Sequence, residues 1–203
     1  MSQEARRRTR MSPEQRRAQL VALGVAALAD RPLEAVTIED LARQAGVSPG
    51  LVHHYFGSRN GLHHEVLTTA RDSMLRATEP RYDLPPVERV RDTLERFVEF
   101  VRAHERVFFS LVRGSASGAT EVRDVVDHAR LVLTDHLERA AAELGFEVTP
   151  QVRVLLRACV AMAEQALLDA APSPEVDPAE LADTITRSML AVVQATAAPP
   201  PQS

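Results

Sequence analysis

The sequence predicts an all-α protein of about nine helices. Apolar residues recur at helical spacing along most of its 203 residues, and no segment alternates apolar and polar residues as a strand would. Prolines and glycines interrupt these apolar stripes at intervals of helical length. With 45% hydrophobic residues, the chain has the composition of a globular protein, and its length suits one large domain or two small ones.

Charge is divided unevenly along the chain, although the net charge is only −4. Residues 1–60 carry nine arginines and six acidic residues, whereas residues 61–203 carry fifteen arginines and twenty-two acidic residues. A basic front and an acidic remainder are typical of a nucleic-acid-binding module joined to a module of another kind. All 24 basic residues are arginine, which we ascribe to genomic composition rather than to function.

Several classes of protein are disfavoured by the residues present. Cys159 is the only cysteine, so neither a disulfide framework nor a cysteine-based zinc site is expected. The polar N-terminus does not look like a secretory signal, and no run reaches the ~20 apolar residues of a membrane span. We therefore expect a cytoplasmic protein that makes no membrane contact.

An enzyme is also disfavoured. The chain shows no glycine-rich phosphate loop, nucleophile elbow or Cys–His constellation. The pairs His53-His54 and His63-His64 have no carboxylate or thiol at a spacing that would complete a zinc site. No catalytic residue, metal or cofactor is predicted.

The first three helices have recognisable starts. Pro13 suits the first turn of helix one, which ends near residues 30–32 because proline disfavours helix just before it. Thr37 is the predicted N-cap of helix two, with Asp40 in a capping-box arrangement. Ser48 is the predicted N-cap of helix three.

Helix four is predicted from Arg59 to the mid-70s, after a break at Gly57-Ser58. Gly61 stands early in this helix and costs about 1 kcal/mol relative to alanine, which predicts a loose first turn. A linker with three prolines follows at Glu79–Pro86, and five further helices are predicted beyond it. Pro150 opens the fourth of these.

Residues 37–56, TIEDLARQAGVSPGLVHHYF, have the pattern of a helix-turn-helix. Ala42 supplies the small residue needed where the two helices cross, and Gly46 tolerates the positive φ of the turn. The residues spaced to fill the interface are Leu41, Ala45, Val47, Val52 and Tyr55. The residues left facing outwards are Arg43, Gln44, Ser48, His53 and His54.

This segment, continued by His54-Tyr55-Phe56-Gly57-Ser58-Arg59, closely resembles the TetR family of bacterial one-component transcriptional regulators. The resemblance is strong over residues 14–67 and is architectural only behind the linker. It implies that Ser48 to Tyr55 enters the major groove of DNA. The DNA-binding residues implied are Thr37, Ser48, Pro49, Gly50, His53, His54, Tyr55 and Arg59, together with a basic arm of Arg6, Arg7, Arg8 and Arg10.

Two alternatives stay open within this half. The arm either follows DNA phosphates or is a solvated tail. Pro49 and Leu51 replace positions that are often polar in the family, so specificity is expected to depend on His53, His54, apolar contacts and DNA shape.

The second half carries candidates for an effector pocket. Four of the six phenylalanines fall between residues 97 and 109, and ligand sites are mainly apolar with a few polar groups. The predicted pocket residues are Phe97, Phe100, Val101, His104, Phe108, Phe109, Val112, Arg113, Met162 and Gln165. The alternative is an ordinary helical core, and His104, His128 and His136 are more simply interpreted as core or surface histidines.

The segment 154–168 has only three polar residues, so it needs cover on nearly every side. Together with the last helix it predicts a four-helix dimer interface, which the family resemblance also implies. The predicted interface residues are Leu155, Cys159, Met162, Ala163, Ala166, Leu167, Leu181, Ile185, Met189 and Val192. Burial inside one chain is the alternative.

The predicted domains are a basic arm with a helix-turn-helix at 1–58, a connecting helix at 59–80, an effector-binding and dimerisation domain at 81–196, and a disordered tail at 197–203. We expect a sequence-specific DNA-binding regulator, and more specifically a homodimeric repressor of a palindromic double-stranded operator. A small apolar or amphipathic ligand would release it by tilting the fourth helix. The alternative is a constitutive DNA-binding protein whose second half only dimerises.

Overall fold

The computed structural model describes residues 11–116 and 120–196 and, within them, all side chains except those of residues 110, 113–116, 120 and 121. This part of the chain forms nine α-helices and no strand, so the all-α prediction is confirmed. The helices are α1 (Pro13–Ala27), α2 (Ile38–Ala45), α3 (Pro49–Phe56), α4 (Arg59–Ala77), α5 (Pro86–Ala103), α6 (Glu105–Ala116), α7 (Thr120–Glu143), α8 (Pro150–Ala170) and α9 (Pro178–Thr196).

Two predicted segments lie outside the described residues. These are the basic arm of Arg6, Arg7, Arg8 and Arg10 and the tail at 197–203. Among the helices that are described, none combines the length and the apolar character needed to cross a bilayer.

The chain forms two compact units, and the division between them falls between Thr69 and Ala70, within α4. The first unit has a core of aliphatic side chains contributed by α1, α2, α3 and the start of α4. Its most deeply buried side chains are Leu20, Leu28, Val36, Leu41, Ala42, Val52, Leu62 and Val66. Helix α1 begins with the capping box of Ser12 and Gln15, in which each residue bonds the backbone of the other.

The second unit is a bundle in which α5 packs against α9 and α7, and α8 packs against α7 and α9. Bidentate ion pairs join these helices, and two of them are partly buried. Arg89 of α5 donates to both carboxylate oxygens of Glu143 of α7 at 2.8 Å. Arg130 of α7 donates to both oxygens of Glu164 of α8, at 2.6 and 2.9 Å. Because each guanidinium donates two parallel hydrogen bonds to one carboxylate, each pair fixes both the distance between the two side chains and their relative orientation.

The inner faces of α8 and α9 form the core of this unit. Cys159 and Ala163 of α8 pack with Ile185 and Met189 of α9, and Leu167 packs with the phenylalanines of α5 and α6. All five are at most 5% exposed within one chain. The sequence had suggested these five for a dimer interface, but the structure gives them the alternative role, because α5 and α7 already cover that side of α8.

Candidate functional sites

The crossing of α2 and α3 is tightly packed around small and aliphatic residues. Ala42 is 1% exposed, and Leu41 and Val52 are fully buried. Gly46 ends α2 with φ at 66°, in the left-handed region, and the Val47 N–H donates to the Ala42 carbonyl at 2.9 Å. This turn sets the direction in which α3 leaves α2, as the sequence predicts.

Helix α3 is held at both ends. The Ser48 hydroxyl accepts a hydrogen bond from the Leu51 N–H at 3.3 Å, and Pro49 occupies the first turn. At the other end the Gly57 N–H donates to the His53 carbonyl at 2.8 Å. Val52 and Phe56 are buried, so one face of this short helix is fixed against the first unit.

The opposite face of α3 is open to solvent. Ser48, Pro49, Gly50, His53 and His54 are all exposed, as the sequence predicts, and Tyr55 is half-buried. No Asp or Glu lies on α3. A helix with a free, non-acidic face and a firmly packed back has the geometry needed to enter a DNA groove.

Thr37 and Asp40 secure the start of α2 but do not form a complete capping box. The Thr37 hydroxyl accepts from the Asp40 N–H at 3.2 Å. The Asp40 carboxylate instead pairs with Arg31, at 2.8 Å, and with Arg43. The predicted reciprocal bond is therefore corrected: two guanidinium groups attract the carboxylate more strongly than a backbone amide does.

The first turns of α4 bind the segment that precedes α2. The exposed Arg59 guanidinium donates to the Glu34 carbonyl, and the His63 ring nitrogen Nε2 lies 2.8 Å from the Val36 carbonyl oxygen. The second histidine of the 63–64 pair is exposed. His63 thus has a structural partner, and Arg59 stands beside α3 with its position fixed by the backbone.

Gly61 has a packing role that the prediction of a loose first turn in α4 did not include. A Cβ atom at this position would lie 2.1 Å from the Phe56 carbonyl oxygen, so the backbone of α4 passes directly against the end of α3. The Gly61 N–H also donates to the Ser58 hydroxyl at 3.1 Å. The glycine permits a close approach rather than loosening the helix.

The second unit contains cavities between its helices. One of them, which we call the central cavity, has about 560 Å³ of space not occupied by atoms, part of it open to solvent. It lies among α5, α7, α8 and α9 and is lined by Pro80, Arg89, Val90, Thr93, Leu94, Phe97, Leu133, His136, Leu137, Ala140, Val160, Ala163 and Met189. Sequence reasoning missed its polar residues, because they lie on two helices far apart in the chain.

A neighbouring cavity of about 470 Å³, the phenylalanine cavity, shares Phe97, Leu133 and Val160 with the central one. Phe97 and Phe108 meet edge to face at 5.7 Å between ring centroids along its wall. Of the pocket residues predicted from sequence, Phe97, Phe108 and Val112 line a cavity.

The other predicted pocket residues lie elsewhere. Val101 is buried in the core, and Phe100 stacks on the exposed His104 at 4.3 Å. Phe109 is half-buried, Met162 and Gln165 lie on the exposed face of α8, and the Arg113 side chain is outside the described residues.

That outer face of α8 carries exposed apolar side chains. Val154 is 66% exposed and Met162 is 40% exposed, with Ala158 and Ala161 exposed between them. The predicted interface residues not packed in the core, apart from Met162, are half-buried: Leu155, Ala166, Leu181 and Val192.

Comparison with known proteins agrees with this architecture. Residues 20–66 match the model of bacterial regulatory proteins of the tetR family, and residues 86–192 match the tetracyclin repressor-like C-terminal domain. The crystal structure of a tetR-family transcriptional regulator from Streptomyces coelicolor is similar, with a TM-score of 0.75 and 26% identity, over 91% of this chain and 84% of that one.

Two curated relatives match shorter segments. The chain is 35% identical over 121 residues to the HTH-type transcriptional regulator BetI of Rhizobium meliloti (strain 1021), covering 56% of this chain and 57% of that protein. It is 39% identical over 59 residues to the HTH-type transcriptional repressor KstR2 of Mycolicibacterium smegmatis, covering 29% of each. The chain thus aligns with less than two thirds of either protein.

The N-terminal family model matches the region of the helix-turn-helix, and the C-terminal model matches the helices that follow it. The C-terminal model alone spans more than half of the chain. The similar crystal structure covers 91% of this chain, so it includes parts of both matched regions. This chain therefore belongs to the TetR family of transcriptional regulators.

Proposed function

We propose that the protein is a homodimeric repressor that binds a palindromic DNA operator through α3 and leaves it when a small molecule occupies the second unit. The observation that carries the DNA-binding part is the exposed face of α3, where Ser48, His53 and His54 are free of the core while Val52 and Phe56 anchor the helix. Such a helix can lie in the major groove with its packing undisturbed.

Few side chains on this face can read bases. His53 and His54 offer ring nitrogens, Ser48 offers a hydroxyl near the helix start, and Pro49 offers only apolar contact. Arg59 and Thr37 are suited to phosphates, because one is a cation and the other stands at a helix N-terminus. We infer a modest direct readout assisted by DNA shape.

Dimerisation is supported by the outer face of α8. Val154 and Met162 are large apolar side chains left in water, and the alanines at 158 and 161 allow another helix to approach closely. Two copies related by a twofold axis would present two α3 helices to half-sites about 34–36 Å apart. The operator is accordingly a palindrome.

Ligand control is supported by the cavities. A purely structural second half would need a filled core, whereas this one has space among α5, α7, α8 and α9. Arg71 and Met74 of α4 line the phenylalanine cavity, and the same helix begins at Arg59 beside α3. A ligand that favours one position of α4 shifts the population towards it, and only this differential affinity can change DNA binding.

The decisive test is the selection of bound sequences from a random duplex library, followed by affinity measurements. His54→Ala is expected to weaken binding to the selected palindrome by about 1–3 kcal/mol and to relax the base preference at one position of each half-site. The reason is that an exposed α3 side chain contacts bases rather than holding the fold.

His128→Ala is the matched control, because His128 is an exposed histidine on α7. It should leave affinity and sequence preference unchanged. If the library yields no enriched sequence, or if both alanine variants bind the same sequences as the parent protein with equal affinity, the assignment of α3 as the reading helix is wrong.

A further inference from the structure

Unpaired polar atoms concentrate at the central cavity. In the described part of the chain, five buried side-chain nitrogen or oxygen atoms have no hydrogen-bond partner, and three of them belong to residues that line this cavity: Arg89 Nε, Thr93 Oγ1 and His136 Nδ1. Burying a polar atom without a partner is costly, and most buried polar groups in folded proteins are paired. All three atoms belong to residues that line one cavity, so a group bound there would supply the partner that each of them lacks.

The positive charge of Arg89 is already compensated. Its two terminal nitrogens donate to the Glu143 carboxylate at 2.8 Å, and one of them also donates to the Leu84 carbonyl at 3.1 Å. The Tyr82 ring lies 4.7 Å from the guanidinium carbon, and the Arg89 side chain is only 7% exposed. The hydrogen bonds that Arg89 donates to Glu143 are the main cause that raises the pKa of Arg89. The Nε–H of this neutralised pair is the donor that remains for the cavity.

The other two polar groups bring no charge. Thr93 carries a hydroxyl, which can donate or accept. Burial is the main cause that lowers the pKa of His136, and nearby Arg139 acts in the same direction, so the ring is neutral at pH 7. The remaining lining side chains are aliphatic, phenylalanine, proline or methionine. The cavity is thus mainly apolar, and its three polar residues, Arg89 in its pair with Glu143, Thr93 and His136, bring no net charge.

We propose that the central cavity binds an uncharged, mainly apolar small molecule whose single hydrogen-bonding group, a carbonyl or a hydroxyl, is bound by Arg89, Thr93 and His136. A carboxylate would lose its hydration and find no uncompensated cation, and a quaternary ammonium would find no uncompensated anion. The biological meaning of this binding rests on the proposed ligand control, but the binding itself does not.

Three compounds with one decyl-sized tail test the choice of charge: 2-decanone, decanoate and decyltrimethylammonium. Isothermal titration calorimetry of each against the full chain, without DNA, is expected to show 2-decanone binding at least tenfold more tightly than either ion. Thr93→Val, which removes the hydroxyl at constant shape, should weaken 2-decanone about fivefold to tenfold, because one buried hydrogen bond is lost.

Thr134→Val is the control. Thr134 is a buried threonine of α7 whose hydroxyl already donates to the Arg130 carbonyl at 2.7 Å, and it lines none of the cavities described above. The affinity of the Thr134→Val variant for 2-decanone should equal that of the parent protein. No binding of 2-decanone, equal or tighter binding of either ion, or equal loss in both valine variants overturns the inference.

Measuring the affinity for the selected palindrome with and without each compound separates this inference from the proposed function. If 2-decanone binds as expected and the affinity for the selected palindrome does not change, the ligand control is wrong and the chemistry of the cavity stands. If decanoate or decyltrimethylammonium binds more tightly and releases the DNA, the ligand control stands and the uncharged class is wrong.

Discussion

At the scale of single residues, Gly61 shows how local propensity misleads when a neighbour is unseen. Helix propensity alone ranks glycine as a cost in the first turn of α4. The structure shows the compensating gain, since the Phe56 carbonyl oxygen occupies the place that a side chain would need. Phe56 is itself 8% exposed and cannot easily move away.

Gly61→Ala should therefore lower the free energy of unfolding by about 1–3 kcal/mol, because the steric clash outweighs the ~1 kcal/mol gain in helix propensity. Urea denaturation followed by circular dichroism at 222 nm measures this change.

Gly50→Ala provides the matched comparison, since a Cβ there would meet only the Ser48 hydroxyl, at 4.0 Å. That variant should be unchanged or more stable by up to about 1 kcal/mol. Equal effects of the two substitutions would show that packing against α3 does not decide the residue at position 61.

At the scale of helices, the sequence predicts where helices begin, but it does not predict which face of a helix turns towards the core. Thr37 and Ser48 cap helices as expected, because a cap depends on residues within three positions of it. The inward face of α8 was not predictable from a segment that is apolar on all sides. The packing of α5, α7 and α9 against α8 decides which face turns inward, and the sequence of α8 alone does not show where they lie.

The cavity illustrates the same limit. Phe97 was predicted to line a pocket because phenylalanines cluster near it, and it does. Arg89, Thr93 and His136 come together only because α5 and α7 lie side by side, and their spacing in the chain carries no sign of it.

Two substitutions of Ser48, the N-cap of α3, distinguish its contribution to stability from its contribution to DNA binding. Ser48→Ala should lower stability by about 1 kcal/mol, because the Leu51 N–H loses its side-chain acceptor. Ser48→Asp should keep that stability, since aspartate is also a good N-cap, but should weaken DNA binding by placing a negative charge on the exposed face of α3. Thermal melting and DNA affinity are measured on both variants. Comparable DNA affinity of the aspartate variant and the parent protein would place Ser48 away from the DNA.

At the scale of the whole molecule, the two faces of α8 have different roles. The inner face completes the core through Cys159, Ala163 and Leu167. The outer face leaves Val154 and Met162 exposed on one side of α8, with the exposed Ala158 and Ala161 between them, which is the pattern of a helix face that another helix can cover. We infer that two copies meet on this outer face, which includes Met162 of the predicted interface, and not through the predicted residues that are buried in the core.

Met162→Asp should raise the dimer dissociation constant at least tenfold, because a charge would be buried without a partner at the centre of the contact. Multi-angle light scattering over a dilution series measures the change. Leu131→Asp is the control, since Leu131 is 57% exposed on α7 and outside this face. A dimer that is equally stable in the two aspartate variants would require a different contact surface.

The position of Cys159 has a practical consequence. Its thiol is the only one in the chain, and the side chain is 4% exposed, with burial raising its pKa. Since thiolates rather than thiols attack electrophiles, the native protein should resist alkylating and disulfide-forming reagents at neutral pH. Modification of Cys159 then requires the helices around it to separate. The rate of thiol labelling therefore measures how often the bundle opens.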